Sequence, residues 1–134
     1  MKHLDVVAAI LIYNGKILCM QRGAGKYPYV SYKYEFPGGK IEPGETKHAA
    51  LERELREEMN IDITVKETDL YITVNHQYPD FSLTMHAFYC PMMSPDFVRK
   101  EHIDAKWLNP VDMPTLDWSA ADIPIMEKIV KEHA

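Results

Sequence analysis

The feature that most constrains the fold is a helical segment that follows two breaks in the chain. Glycine and proline interrupt the sequence at Pro37-Gly38-Gly39 and again at Pro43-Gly44, where neither residue type favours a regular element. Thr46 then provides an N-cap for a helix that runs to about Met59. The sequence therefore predicts a loop and a sharply bounded helix in the first half of the chain.

Three glutamates share one face of this helix. Glu54, Glu57 and Glu58 stand at i, i+3 and i+4, so their carboxylates are expected to converge. Like charges at this spacing destabilise a helix by roughly 0.2–0.5 kcal/mol per pair, a cost that a bound cation would offset. Carboxylate oxygens favour a hard ion such as Mg²⁺, which recruits substrate phosphates. The alternative is a solvated acidic face, in which Arg53 and Arg56 pair with the glutamates.

A neighbouring stripe of the helix is apolar. Leu51, Leu55 and Met59 recur every four residues, the spacing of a side that packs against a core. Burial and chemistry can therefore use different faces of the same helix.

The remaining elements are predicted to be mostly strands. Val6–Tyr13 and Lys16–Gln21 flank Asn14-Gly15, a dipeptide typical of a tight hairpin turn. Asp62–Asn75 and Phe81–Cys90 read as a second hairpin with a longer turn.

The C-terminal third contributes a weaker strand at 105–108 and an amphipathic helix from Ser119, a possible cap, to Glu132. The order of elements favours a mixed sheet packed between helices over a parallel doubly wound sheet. A length of 134 residues fits one domain, residues 1–134.

Composition narrows the function classes. The net charge is −5, with acid concentrated in residues 42–58, which disfavours binding to a nucleic-acid polymer. The apolar run near the N-terminus is shorter than a membrane span and reads as a buried strand. Cys19 and Cys90 lack metal-ligand spacing, so reduced core thiols in a cytoplasmic protein are expected.

The spacing of glycine, glutamate and arginine residues from Gly39 onwards resembles that of a known family. From Gly39 there are five residues to Glu45, seven more to Arg53-Glu54, and then the pair Glu57-Glu58. This pattern resembles the Nudix box at every fixed position except one, where Asn60 replaces a glycine. That position closes the helix in a left-handed conformation, which asparagine also tolerates. The preceding segment, residues 34–40, resembles the MutT-type branch, whose members hydrolyse nucleoside triphosphates.

The resemblance implies a fold and a reaction. The fold would be the Nudix α/β/α sandwich, an α+β arrangement with a mixed β-sheet between helices. The reaction would be metal-dependent hydrolysis of a nucleoside triphosphate to the monophosphate and pyrophosphate. Mg²⁺ is the expected cofactor, with Mn²⁺ able to substitute. The metal would be held by the carbonyl of Gly38 or Gly39 together with Glu54, Glu57 and Glu58.

Other residues receive roles from the same resemblance. Arg53 would orient the carboxylates by pairing with Glu45. The general base would be Glu54 or Glu101, the latter in the stretch 99–102. Arg22 and Lys40 would contact phosphates, although a surface ion pair is an alternative for Arg22.

The base pocket is less constrained. Asp122 matches a position where MutT relatives carry an asparagine or aspartate that reads the base edge, although a first-turn helix residue favoured by the dipole is an alternative. Tyr78 and Phe81 could stack on a base, or be turn and core residues. The tyrosine-rich loop 23–34 is either a substrate lip or a lid over the core edge.

Several substrates remain open. The runs at residues 5–10 and 120–124 are most similar to CTP pyrophosphohydrolase members, so CTP, dCTP or a modified pyrimidine nucleotide is expected. Hydrolysis of 8-oxo-dGTP is the alternative. A non-catalytic nucleotide-binding module is disfavoured because the glutamates are retained, and ADP-ribose because the first strand begins almost at Met1. The partner is a small-molecule nucleotide, and the protein is expected to be a monomer or a homodimer.

Overall fold

The fold begins with a long β-hairpin. A computed structural model describes residues 1–133. Strands β1 (Lys2–Tyr13) and β2 (Lys16–Gln21) are antiparallel, and both turn residues between them have positive φ, 50° at Asn14 and 75° at Gly15. These angles are the ones a two-residue turn of the predicted kind requires, so the first hairpin is confirmed.

Five further strands complete one mixed sheet. They are β3 (Tyr34–Glu35), β4 (Gly38–Lys40), β5 (Leu70–Gln77), β6 (Phe81–Pro91) and β7 (Asp104–Leu108). The path through the sheet is β3-β2-β1-β6-β5, with β4 paired to β1 and β7 paired to β2. Only β1 and β6 run parallel, in register from Lys2 opposite Phe81 to Ile12 opposite Pro91. The predicted mixed sheet is confirmed.

The glutamate-bearing helix α1 spans Lys47–Met59. The Thr46 side chain accepts a hydrogen bond from the amide of Ala49 at 3.3 Å and caps its start. Asn60 ends it in the left-handed region, with φ 54° and ψ 34°, and donates its N–H to the carbonyl of Arg56. Both predicted boundaries are confirmed.

The core lies on both faces of the sheet. Val7, Ala9 and Leu11 of β1 point to one face, where they pack with the buried stripe of α1. Ala8 and Ile10 point to the other face, where they pack with α2 (Ile123–Glu132). Strand β1, buried on both sides, is the centre of an α/β/α sandwich, as expected.

The second hairpin is shorter than predicted. Its first strand starts at Leu70 and not at Asp62, because residues 62–66 are irregular and a 3₁₀ turn covers Glu67–Asp69. The amide of Val65 donates to the Glu52 carboxylate of α1 at 2.7 Å, so a side chain takes the place of a strand partner.

The C-terminal helix also starts later than predicted. Residues Ala120–Asp122 form a 3₁₀ turn, and the α-helix begins at Ile123. Ser119 lies before this turn, but its side chain makes no capping hydrogen bond. The amide of Ala121 donates to the Tyr78 hydroxyl at 3.0 Å, which holds this turn against β5 and β6.

Both cysteines lie in the core, as expected. Cys19 and Cys90 are free thiols in the core, and burial raises the pKa of each to about 12. Among residues 1–133, no helix has the length and apolar character needed to cross a membrane.

Candidate active site

A cleft of about 820 Å³ opens between α1, the β1–β4 pair, the tyrosine-rich loop and the start of α2. Most of the side chains and glycines singled out in the sequence line this one cleft, although they come from distant parts of the chain. They are Arg22, Gly38, Gly39, Lys40, Glu54, Glu58, Tyr78, Phe81, Glu101 and Asp122. Arg53 and Glu57 are not part of the lining, and they act on it through the contacts described below.

Two glycines let β4 approach its neighbours closely. A Cβ atom at Gly38 would overlap the carbonyl of Val7 on the paired strand β1. A Cβ atom at Gly39 would lie within 2.6 Å of both carboxylate oxygens of Glu54. The backbone of β4 is therefore bare where it faces the carboxylate of Glu54, and any larger side chain would displace one of them.

Arg53 joins α1 to the loop in front of it. Its guanidinium donates two hydrogen bonds to the Glu45 carboxylate, at 2.8 and 3.0 Å, and a third to the carbonyl of Lys40 at 3.0 Å. A further nitrogen contacts Glu54 at 2.9 Å and Glu57 at 3.3 Å. Arg53 holds the pKa of Glu45 below its usual value. The guanidinium thus orients the carboxylates around it.

The three helix glutamates do not all point into the cleft. Glu54 and Glu58 line it, whereas the side chain of Glu57 is 56% exposed and is bound to Arg53. The reason is angular: Glu57 and Glu58 follow Glu54 by three and four residues, so they lie on opposite sides of it around the helix axis. The predicted convergence is therefore realised for two of the three side chains.

Glu101 adds its carboxylate to those of Glu54 and Glu58 from a different element. Burial raises the pKa of Glu58, and the charges of Glu101 and Glu54 raise it further. Burial also raises the pKa of Glu54, although the charge of Arg53 opposes this shift. Glu54, Glu58 and Glu101 thus form a partly desolvated acidic cluster at one end of the cleft.

The loop that carries Glu101 is anchored on both sides of that residue. Lys100 donates to the carbonyl of Glu57 at 2.8 Å and to the side chain of Asn60 at 2.9 Å, at the C-terminal end of α1. The His102 ring contacts the Glu35 carboxylate at 3.0 Å. These two contacts fix the loop across the mouth of the cleft.

Two basic residues also line the cleft. Arg22, at the end of β2, lies 3.6 Å from Glu35, and its side chain is 41% exposed. The alternative of an ion pair is thus observed for Arg22, which also lines the cleft, and its contact with phosphate stays a prediction. The Lys40 side chain also lines the cleft, while its carbonyl is bound to Arg53.

The other end of the cleft is aromatic. Tyr78 packs against Phe81 with ring centroids 5.0 Å apart, and Tyr29 stacks on Tyr78 at 5.3 Å. Tyr27 stacks on both Tyr29 and Phe81, at 5.3 and 5.5 Å. The tyrosine-rich loop is thus a lid over the edge of the core, and it also presents Tyr27 to the cleft.

Asp122 lies at the floor of this aromatic end. Only 3% of the residue is exposed, and its Oδ1 accepts a hydrogen bond from the amide of Phe36 at 3.0 Å. Burial raises the pKa of the Asp122 carboxyl well above its usual range, and the charge of Glu35 raises it further. Asp122 does precede α2, but its side chain makes no capping hydrogen bond there.

Comparisons with known proteins agree with this geometry. Residues 6–128 match the family model described as the NUDIX domain. The chain belongs to the Nudix family. A CTP pyrophosphohydrolase of Escherichia coli is 37% identical over 135 residues, which cover 100% of this chain and 96% of that protein. An 8-oxo-dGTP diphosphatase of the same organism is 31% identical over 130 residues, 96% of this chain and 98% of that one.

A solved structure extends the likeness to three dimensions. The MutT protein of methicillin-resistant Staphylococcus aureus, a Nudix hydrolase, is 37% identical and superposes with a TM-score of 0.75. The match covers 98% of this chain and 99% of that one. The Nudix fold expected from the sequence is confirmed.

Nudix hydrolases generally need a divalent metal, and the donors of this cleft fit one. Glu54 and Glu58 offer only oxygen atoms, as a hard cation prefers, and β4 is bare beside Glu54 at Gly39. No three acidic, histidine or cysteine side chains within residues 1–133 already form a finished ligand set. Arg53 instead holds Glu54 and Glu57 in ion pairs.

Sequence reasoning gave no site role to several cleft residues of this Nudix protein, among them Glu35, His102 and Ser119, and it did not single out Tyr27. Glu35 and His102 are 67 positions apart, so their contact has no local signal. Tyr27 belonged to a recognised tyrosine cluster, but the sequence could not say which ring reaches the cleft. Ser119 was interpreted only as a helix cap.

Proposed function

We propose that this protein hydrolyses a nucleoside triphosphate to a nucleoside monophosphate and pyrophosphate in a Mg²⁺-dependent reaction. The observation that carries the proposal is the division of one cleft into an acidic end, with Glu54, Glu58 and Glu101, and an aromatic end closed by Asp122. A triphosphate with its metal suits the acidic end, and a nucleobase suits the aromatic end. The two Escherichia coli relatives, named as a CTP pyrophosphohydrolase and an 8-oxo-dGTP diphosphatase, support the same reaction class.

The chain's own residues have separable tasks in this reaction. Arg22 and Lys40 bind phosphate oxygens, and Arg53 holds Glu54 in place. Glu54, Glu57 and Glu58, with a glycine carbonyl of β4, would hold Mg²⁺, which would supply neutralisation of the developing negative charge. Glu54 or Glu101 accepts the proton of the water that attacks an inner phosphorus. Pyrophosphate then leaves, and the monophosphate remains with its base in the aromatic end.

The preferred base is proposed to be cytosine or a modified pyrimidine. The relative named CTP pyrophosphohydrolase is 37% identical over 100% of this chain. Asp122 in its ionised form accepts a hydrogen bond from an exocyclic amine such as that of cytosine. Tyr27, Tyr78 and Phe81 supply aromatic surface for the ring.

A second candidate is 8-oxo-dGTP. The burial of Asp122 raises its pKa, which favours the protonated carboxyl. A protonated carboxyl donates one hydrogen bond and accepts others, so it suits an oxidised guanine that presents both donors and acceptors. The relative named 8-oxo-dGTP diphosphatase supports this alternative.

Steady-state kinetics on a panel of nucleotides tests the proposal. We expect hydrolysis with Mg²⁺ and, to a similar or lesser extent, with Mn²⁺. Among the substrates, we expect the highest kcat/KM for CTP, dCTP or 5-methyl-dCTP. A highest kcat/KM for 8-oxo-dGTP would favour the second candidate. Inactivity towards every triphosphate would contradict both and would favour a non-catalytic nucleotide-binding module.

We further propose the setting in which the protein acts. Residues 1–134 form one Nudix domain that works in the cytoplasm, where the buried thiols of Cys19 and Cys90 stay reduced. The partner is a small-molecule nucleotide and not a nucleic-acid polymer, because the net charge is −5. Such a domain can act as a monomer or a homodimer.

A further inference from the structure

One buried polar group in the cleft makes no hydrogen bond within the described residues of the protein. The hydroxyl of Ser119 is the one buried side-chain oxygen or nitrogen among residues 1–133 that lacks a hydrogen-bond partner. Ser119 is 3% exposed and lines the cleft at its aromatic end, together with Tyr78 and Asp122. Buried polar atoms are nearly always paired, so an unpaired hydroxyl inside a ligand cleft needs an explanation.

The local backbone explains why this hydroxyl is free. A serine before a helical turn usually accepts a hydrogen bond from an amide two or three residues later. Here the amide of Ala121 donates to the Tyr78 hydroxyl at 3.0 Å, and the amide of Asp122 donates to the Ser119 carbonyl at 2.9 Å. Both amides that could have bonded to the hydroxyl are already occupied.

The backbone of Ser119 is also fixed. The amide of Ser119 donates to the carbonyl of Tyr34 at 2.9 Å, and its carbonyl is bound by Asp122, so the backbone is held on both sides. A group held in this way costs little further entropy when it bonds to a ligand. Its neighbours, Phe36 and Asp122, are joined by their own hydrogen bond and do not compete for it.

We propose that Ser119 is a specificity-determining residue whose hydroxyl hydrogen-bonds to the polar edge of the substrate's nucleobase. The proposal rests on the proposed nucleotide hydrolysis and deepens it, because it adds a second reader of the base beside Asp122. A hydroxyl both donates and accepts, so Ser119 pairs with a carbonyl or an amine of the base. Its role is distinct from that of the acidic cluster, which contacts phosphates and metal.

The proposal predicts opposite effects on stability and on binding. Ser119→Ala removes an unpaired buried polar atom, so the melting temperature should stay equal or rise. The same change should weaken the binding of the nucleotide by about fivefold to tenfold, since a ligand group loses its partner. Ser119→Cys keeps a side chain of similar shape with a weaker hydrogen bond, so it should also weaken binding.

Calorimetric titration with CMP and with 8-oxo-dGMP, the two candidate products, together with melting curves, tests this proposal. Ser94→Ala serves as a matched control, because Ser94 lies outside the cleft lining and bonds to the amide of Asp96. Wild-type affinity in Ser119→Ala for the monophosphate that the wild-type protein binds, or restoration by Ser119→Cys, would overturn the assignment of Ser119. A lower melting temperature in Ser119→Ala would overturn it as well. Failure of the wild-type protein to bind either monophosphate would also overturn the assignment of Ser119, whereas the proposed function fails only if no triphosphate is hydrolysed.

Discussion

At the scale of single residues, the glutamates of the cleft differ in the groups that contact their carboxylates. Glu54 is bound by Arg53 at 2.9 Å and faces the bare backbone of Gly39, whereas Glu101 reaches the cleft from a loop. A carboxylate held by a guanidinium is less free to turn towards an attacking water than one without such a partner. Among the described residues, no ion pair joins Glu101 to a basic side chain, which favours Glu101 as the base and Glu54 as a metal ligand.

Separate Glu54→Gln and Glu101→Gln variants test this division. Glu101→Gln should lower kcat by well over tenfold at saturating Mg²⁺ with unchanged metal affinity, because the proton acceptor is lost. Glu54→Gln should also raise the Mg²⁺ concentration needed for half-maximal activity. Glu67→Gln, on an exposed turn, is the control. Normal kcat in both variants would contradict the proposed mechanism.

The side chain of Tyr34 links β3 to β7 by a hydrogen bond. Its hydroxyl donates to Asp104 on β7 at 2.6 Å, and this bond holds the pKa of Asp104 below its usual value. A lowered carboxyl pKa contributes stability above the unfolded-state pKa, and that contribution is lost as the pH falls through the folded-state pKa. Tyr34→Phe should lower the free energy of unfolding by about 1 kcal/mol at neutral pH.

The difference between Tyr34→Phe and wild type should narrow below a pH of about 4, where the Asp104 carboxylate becomes protonated. Urea denaturation at pH 7 and pH 3 measures it, with Tyr32→Phe as the control because Tyr32 is exposed. An equal difference at both pH values would show that the bond does not depend on the charge of Asp104.

At the scale of elements, α1 and the Glu101 loop act together. Asn60 closes α1 with φ 54°, and its side chain also accepts a hydrogen bond from Lys100 at 2.9 Å. A glycine, the residue usual at this point of the Nudix box, would close the helix as well but would lose that bond. The departure from the box therefore adds an anchor for the loop that carries Glu101.

Asn60→Gly should leave the melting temperature equal or higher and should lower kcat by about threefold to tenfold, with little change in KM. Lys100→Ala should lower kcat by at least as much, because it also frees the carbonyl of Glu57. The double variant should be no worse than Lys100→Ala alone, since the two residues share one contact. Fully additive losses in kcat would contradict the shared anchor.

The same elements separate what the sequence could predict from what it could not. Helix α1 was predictable because Thr46, its leucine stripe and Asn60 are local signals within one segment. The start of β5 was not, because the Glu52 side chain, 13 positions earlier, occupies the amide of Val65. The same is true of His102 and Glu35, whose contact depends on how β3 and the Glu101 loop meet.

At the scale of the whole molecule, the mixed sheet brings the two ends of the cleft together. Strand β1 pairs with β4, which faces the glutamates of α1, and with β6, which begins at Phe81 in the aromatic end. The 3₁₀ turn before α2 closes the cleft with Ser119 and Asp122. Strands of one sheet thus connect the acidic end and the aromatic end of the cleft, so one nucleotide can contact both ends at once.

The central claim is that this cleft converts a nucleoside triphosphate into a monophosphate and pyrophosphate with the help of Mg²⁺. Product analysis by anion-exchange chromatography tests it most directly, with CTP and 8-oxo-dGTP as substrates and with Glu54→Gln and chelated metal as controls. We expect equal amounts of monophosphate and pyrophosphate from the wild-type protein and little product in both controls. A nucleoside diphosphate with free phosphate, or unchanged turnover without metal, would contradict it.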